Sequence, residues 1–416
     1  MNAPQDGTRN DARGAARHDA RVLVLNSGSS SLKYQLLRMP GGERLAAGLV
    51  ERIGEEGPGR LVHDPADGDR REREIPVPDH AAALRAAGDE LAADGLGLDS
   101  PWLAAVGHRV VHGGRSFTEP TVVDDGVLAE IERLVPLAPL HNPANLAGIR
   151  TALAINPDVP QVAVFDTAFH TTIPDHAACY AIDAEVAAEH RIRRYGFHGT
   201  SHAFVSRRTA ELLGRRPEDV NVITLHLGNG ASAAAVAGGR CVDTSMGLTP
   251  LQGLVMGTRS GDVDPAVVFH LTRVAGMSVA EIDELLNSRS GLRGLCGDND
   301  MREVVRRADA GDARARLAFD VYIHRLRSYL GAYFAVLGRV DAVTFTAGVG
   351  ENATRVRTAA VAGLDALGLA VDERLNTAAD RGPRLISPEY ARVAVAVVPT
   401  DEELEIATQA FALVSA

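Results

Sequence analysis

Val22-Leu-Val-Leu-Asn26-Ser-Gly28-Ser-Ser-Ser31-Leu-Lys33 is followed about 200 residues later by Val222-Ile-Thr-Leu-His226-Leu-Gly228-Asn229-Gly230-Ala-Ser232. In each stretch four residues, apolar but for one threonine, run into a turn of Gly, Asn and Ser, and a second apolar stretch follows. A short apolar run bounded by turn residues reads as a buried strand. The turn beyond it exposes backbone N–H groups and hydroxyls, which suit phosphate oxygens. The copies lie roughly half a chain apart. That spacing predicts two related domains, each offering a phosphate-binding hairpin to a shared cleft. Strand–Gly turns are common, so coincidence is the competing explanation.

Lys33 strengthens the first hairpin. It is the only lysine in 416 residues; every other cationic side chain of that kind is arginine. A lysine at the end of such a turn adds a compact point charge for phosphate. Without that role the segment would be a Ser-rich hairpin with a surface lysine.

The length suits two or three domains. A net charge of −11 argues against nucleic acid or an anionic membrane as partner. Cys179, Cys241 and Cys296 are far apart with no C-x-x-C, which predicts neither a disulfide framework nor a thiolate zinc site and fits a reducing cytoplasm. No apolar run reaches the roughly 18 residues of a membrane span. Residues 1–20 are polar, lack an apolar signal-peptide core, and read as a disordered tail.

Strand and helix signals alternate, which predicts α/β layers. Strands are expected at 22–25, 104–111, 161–165, 220–227, 342–346 and 393–398. Helices are expected at 79–93, 127–134, 144–154, 201–213, 279–286, 316–337 and 402–414. Segment 54–75 reads as a polar hairpin outside the core. Val343-Thr-Phe-Thr-Ala-Gly348-Val349-Gly350-Glu351-Asn352 is a third strand opening into a Gly turn. No P-loop exists, so a nucleotide must be bound by a different fold.

Several charged or imidazole groups sit in Gly-rich loops, where α/β proteins place their sites. Arg109 and Arg259 lie between a strand and a Gly turn, from which a long side chain can lean into a cleft. A carboxylate partner such as Asp262 is the plainer account of them. His141, His198 and His202 are loop histidines; H-G-T-S-H lacks the Glu of a zinc H-E-x-x-H site. Asp166 follows a buried strand, a usual place for a catalytic or Mg²⁺-shell carboxylate. Thr400 and Glu403 have capping-box spacing, so Glu402 reads first as part of a helix start.

The blocks N-S-G-S-S-S-L-K (26–33), F-D-T-A-F-H-x-T-x-P (165–174), G-F-H-G-T-S-H (196–202), H-L-G-N-G-A-S (226–232), M-G-L-T-P-L-x-G-L-x-M-G-T-R-S-G-D-V-D-P (246–265) and A-G-V-G-E-N (347–352) occur in this order. Together they resemble the acetate kinase family, within the superfamily of acetate and sugar kinases, heat-shock chaperone ATPases and actin. The resemblance runs from about residue 21 to 406. It implies two duplicated ribonuclease H-like, actin-like ATPase domains flanking a central cleft. Residues 21–168 with 400–416 would form the N-terminal domain, and 169–399 a C-terminal domain for nucleotide binding and dimerisation.

The activity implied is reversible, Mg²⁺-dependent transfer of the ATP γ-phosphoryl group to acetate, giving acetyl phosphate and ADP in a cytoplasmic homodimer; Mn²⁺ is a further candidate metal. Asn26, Ser29, Ser31 and Lys33 would form the first phosphate loop, and His226, Leu227, Gly228, Asn229 and Gly230 the second. Asp300, Met301 and Arg302 would meet adenine or ribose, with Gly348, Val349, Gly350, Glu351 and Asn352 lining the rest of the nucleotide pocket. Arg109 and Arg259 would hold the acetate carboxylate and the moving phosphoryl group. His198 would donate to that group with His141 nearby, Asp166 would orient the site, and Asn26 and Glu402 would hold the metal. Val111, Leu140, Phe197 and Pro250 would enclose the acetate methyl. The chain departs from the family pattern at Ser27, Asp401 and the lead-in Asp298–Arg302.

A carboxylic acid with pKa near ~4 is ionised at pH 7 and needs no base. Its phosphorylation is a matter of positioning and charge neutralisation, which two arginines and a metal address. A sugar kinase would instead need a base, for which Asp166 is a candidate. Other open readings are a propionate or butyrate kinase, a non-enzymatic actin-like nucleotide switch, and a Schiff-base role for Lys33, for which no cofactor motif exists.

Overall fold

The computed structural model describes residues 19–139 and 141–416. The chain divides into two compact units. One takes the described residues up to Ala168 together with Asp401–Ala416; the other is Phe169–Thr400.

The first unit carries an eight-stranded sheet: β1 (Ala20–Ser27), β2 (Ser31–Met39), β3 (Glu43–Glu51), β4 (Gly59–Pro65), β5 (Arg71–Ile75), β6 (Leu103–Val110), β7 (Thr121–Val122) and β8 (Gln161–Phe165), in the order β5-β4-β3-β2-β1-β6-β8-β7. The second carries β9 (Asn221–Leu227), β10 (Ala231–Ala237), β11 (Arg240–Thr244), β12 (Ala342–Thr346), β13 (Arg384–Leu385) and β14 (Ala394–Val397), in the order β11-β10-β9-β12-β14-β13. The duplication is visible in this connectivity. In both sheets an antiparallel meander, of five strands in the first and three in the second, leads into two parallel pairings and ends on an antiparallel edge strand. The two quoted stretches are the β1–β2 and β9–β10 hairpins. Register sets Lys33 opposite Asn26 and Ser232 opposite His226.

The helices that bear on the site or the core are α1 (His80–Ala93), α2 (Asn142–Ile155), α3 (Gly199–Leu212), α4 (Ala266–Ala275), α5 (Met301–Asp309), α6 (Ala313–Leu337), α7 (Ala347–Asn352) and α8 (Glu402–Ser415). Alternation along β1 sends its side chains to opposite faces. Leu23 and Leu25 pack with Leu36, Leu84 and Leu91 of β2 and α1; Val22 and Val24 pack with Leu37, Ile406, Ala407 and Ala410 of β2 and α8. Helix α8 lies so close to β6 that a Cβ on Gly107 would stand 2.8 Å from Ile406 Cγ2, so only glycine fits. The C-terminal helix is thereby seated on the first sheet.

Three readings change on the folded chain. The hairpin in segment 54–75 forms as β4–β5, but Leu61 and Val62 of β4 are buried, and buried His63 links Tyr34 Oη (2.6 Å) to Asp94 Oδ2 (2.7 Å). Strand β1 begins at Ala20 and Asp19 pairs with Arg38, so only residues 1–18 of the expected tail lie outside the described residues. The helix start near 400 is capped by Asp401, whose Oδ1 accepts from Leu404 N–H at 2.9 Å, and not by Thr400. Asp is among the best N-cap residues.

Candidate active site

In the first unit the parallel strands β6 and β8 end side by side, and their terminal residues bring Arg109 and Asp166 together. Asp166 N–H donates to Val110 O at 2.9 Å, which fixes the residue beyond the strand. Arg109 donates through Nε (3.1 and 3.2 Å) and Nη2 (2.6 Å) to the Asp166 carboxylate, which is buried. Glu402, at the first turn of α8, brings Oε2 to 3.7 Å from Arg109 Nη2. Burial alone would lower the Arg109 pKa, but the charges of Asp166 and Glu402 raise it. Burial pushes the Glu402 carboxyl above its ordinary range; Arg109 and Lys33 pull it down, while Asp166 and Asp401 push it up. Burial likewise raises Glu403. Lys33 itself is exposed.

Two buried asparagines of α2 hold the loops around this cluster. Asn145 accepts from Val111 N–H (3.0 Å) and donates to Ser27 O (2.9 Å); Asn142 accepts from His112 N–H (3.2 Å) and donates to His112 O (3.1 Å). His80 Nε2 donates to Gly28 O at 2.8 Å, tying α1 to the first hairpin. Sequence reasoning gave no role to Asn142, Asn145 or His80. The available signal was amide side chains three apart at the start of a mostly apolar helix.

In the second unit His198 caps α3 in the left-handed region, with φ +57°, a conformation that costs a non-Gly residue energy and collects at functional sites. Its ring stacks on His226 with centroids 4.1 Å apart, and its Nδ1 meets Ser232 Oγ at 2.9 Å. His226 Nδ1 meets Ser201 Oγ (2.8 Å), which in turn meets Thr400 Oγ1 (2.8 Å). Arg259 is half-buried and makes no ion pair among the described residues; its Nη1 contacts Pro250 O at 3.5 Å. Burial therefore lowers its pKa. Asp262 is not its partner, since that carboxylate bonds Gly253 N–H and Tyr329 Oη instead. A Cβ on Gly230 would lie 3.4 Å from Arg259 Nη1 and 3.6 Å from His198 Nε2. A guanidinium and an imidazole thus converge on a backbone stretch kept bare by glycine.

A cavity of about 490 Å³ opens beside them, lined by Gly228 and Asn229 of the second hairpin, Asp300, Met301 and Arg302 at the start of α5, and Gly348, Val349 and Asn352 of α7. Asn299 and Ala353 also line it and were not expected. Asn299 Nδ2 donates to Asn229 Oδ1 at 3.1 Å. Five of the nucleotide residues expected in this unit do not line it, among them Gly230, which faces Arg259 and His198. Leu227 and Gly350 are buried, His226 turns to His198 and Ser201, and Glu351 Oε1 accepts from Thr400 N–H at 3.2 Å. Arg302 is exposed and folds back on its own Asp300 (2.6 Å). Of the expected methyl-binding residues, Val111 belongs to the first unit, Phe197 (buried) and Pro250 to the second; Leu140 lies outside the described residues. His141 stands just before α2.

Twin sheets of one connectivity, each with a Gly-rich hairpin, place the chain among proteins of the actin-like ATPase fold. A sequence model of the acetokinase family matches residues 21–408. The acetate kinase of Streptomyces griseus is 76% identical over 397 residues, covering 95% of this chain and 96% of the relative. The crystal structure of Porphyromonas gingivalis acetate kinase superposes with a TM-score of 0.90 at 43% identity, covering 95% of this chain and 99% of that one. A propionate kinase from Francisella tularensis gives 0.88 at 41% identity, covering 94% and 98%. The chain belongs to the acetokinase family.

Because Glu402 is held above its ordinary range, its charged form costs stability once the pH exceeds its folded-state value. Below the unfolded value of ~4.3 that cost vanishes. Glu402→Gln should therefore raise the thermal midpoint of the ligand-free protein at pH 8, with the gain shrinking toward pH 4 in scanning calorimetry. An equal or lower midpoint at pH 8 would mean that pairing with Arg109 outweighs burial.

Proposed function

We propose that the chain transfers the γ-phosphoryl group of ATP to acetate, reversibly and by direct in-line displacement, with acetyl phosphate and ADP as products. The observation that carries this reading is the half-buried Arg259 cation, which has no carboxylate partner among the described residues and lies beside His198 and Gly230. An arriving anion relieves its desolvation. The 54–76% identical relatives named acetate kinase favour acetate over propionate as acceptor.

Acetate attacks as the carboxylate, so the barrier is repulsion between two anions together with alignment. Arg109 keeps Nη1 for a ligand, because Nε and Nη2 are spent on Asp166. Asp166 is the group that orients Arg109. With both oxygens bonded to the guanidinium it is poorly placed to serve as the base of a sugar kinase. His198 and Arg259 stabilise the moving phosphoryl group, and the cavity at Asn229, Asp300 and Gly348 takes the nucleoside. In the reverse direction, from acetyl phosphate to ADP, acetate leaves as a stable carboxylate and needs no acid.

The donor set suits Mg²⁺, which prefers hard oxygens and binds through one or two carboxylates plus phosphate oxygens. Glu402 would supply a carboxylate, with Asn26 of the first hairpin, while Asp166 stays bonded to Arg109. A divalent ion held by these residues would supply charge neutralisation for the phosphates. The hydroxamate assay for acyl phosphate, run with acetate, propionate and butyrate, tests the reaction and the acceptor. Arg109→Ala and Arg259→Ala should each lower kcat on the order of 10³-fold; a near-wild-type kcat in either would refute its assigned role. Glu402→Ala should raise the Mg²⁺ concentration needed for half-maximal rate, and an unchanged titration would remove it from the metal site.

The chain works as a homodimer in the cytoplasm on this reading. Helix α6, at 25 residues a natural first candidate for a dimer surface, buries Phe319, Tyr322, Leu326, Leu330 and Tyr333 in its own unit. Helix α4 is the better candidate: it buries no residue, yet presents Val267, Phe269 and Val274 to solvent, with Phe269 60% exposed. Clustered exposed apolar side chains mark interaction sites. Phe269→Glu should convert a dimer to a monomer in sedimentation velocity; a wild-type chain that sediments as a monomer would overturn the assignment.

A further inference from the structure

A buried hydroxyl must place its one proton on an acceptor, and a neutral imidazole has one donor and one acceptor nitrogen. These two rules settle the direction of a chain of hydrogen bonds behind His198. Thr224, in β9, is fully buried, and its hydroxyl has one partner among the described residues, His202 Nδ1 at 2.7 Å. Its proton therefore points at Nδ1. His202 is itself fully buried on α3, where burial and the neighbouring His170 and His226 hold it neutral. Its own proton must then sit on Nε2, which donates to Ser232 Oγ at 2.8 Å. Ser232, fully buried in β10, has one other partner, His198 Nδ1 at 2.9 Å, so the serine proton goes there. His198 Nδ1 is an acceptor, and the ring carries its proton on Nε2.

We propose that Thr224, His202 and Ser232 are positioning residues that fix His198 as its Nε2–H tautomer, so that a proton-bearing nitrogen is offered to a phosphoryl oxygen beside Gly230 and Arg259 Nη1. The consequence for the reaction rests on the acyl-phosphate reading above; the tautomer itself does not. No proton leaves the protein in the transfer. A neutral donor stabilises charge on the phosphoryl oxygens and stays ready for the reverse reaction. The opposite tautomer would turn a lone pair toward a polyanion.

Long-range ¹H–¹⁵N correlation spectra of protein labelled at its 14 histidines, with His198 assigned through His198→Gln, read the tautomer directly. His198 should show a pyrrole-type Nε2 and a pyridine-type Nδ1. Ser232→Ala should mix the two forms and lower kcat about tenfold, the scale of one neutral hydrogen bond, with KM for ATP and acetate within twofold of wild type. Ser232→Thr, which keeps the hydroxyl, should restore both. A pyrrole-type Nδ1 in the wild-type protein would overturn the proposal, as would Ser232→Ala spectra and kcat indistinguishable from wild type. If the wild-type chain formed no acyl phosphate, the reaction would be lost while the nitrogen spectra still decided the tautomer.

Discussion

Taking a guanidinium and two carboxylates out of water costs several kcal/mol for each ion, and only close, well-bonded pairing returns it. Arg109 and Asp166 meet that condition in the first unit, Asp166 bonding both nitrogens of one guanidinium edge, whereas Glu402, 3.7 Å away, keeps part of its cost. Their positions come from three separate elements, the ends of β6 and β8 and the first turn of α8. The β6–β8 pairing and the close seat of α8 on Gly107 are therefore conditions for the site as well as for the core.

The second unit solves the opposite problem. Arg259 is left without a carboxylate among the described residues, and its cation is disfavoured by burial. The first unit carries excess carboxylate beside its arginine, suited to a divalent cation; the second carries excess cation and hydrogen-bond donors, suited to phosphate. The same six-strand connectivity supports both. Function here resides in the side chains that the strand ends present rather than in the fold itself.

Local pattern made much of this legible. The hairpins, the parallel strands and the arginines next to Gly turns follow from short runs of sequence, and most expected strands agree with those formed to within a residue or two. What failed was decided by tertiary contact. Thr400 and Glu403 have capping-box spacing, but Thr400 is drawn to Ser201 and Asp401 takes the cap, which frees Glu402 for Arg109. Leu61 and Val62 sit in a polar stretch, and only the neighbouring strands bury them. Asn142 and Asn145 act through backbone groups of distant loops, which no local pattern encodes.

Lys33 has a practical consequence. Its exposed side chain stands opposite Asn26 in the first hairpin, and no other lysine exists in the chain. Apart from the α-amine, acylating or fluorescent amine reagents find a single covalent handle on this protein. A tag attached there reports on the occupancy of that turn with no competing background. A trypsin-like enzyme restricted to lysine would cut this sequence only after Lys33.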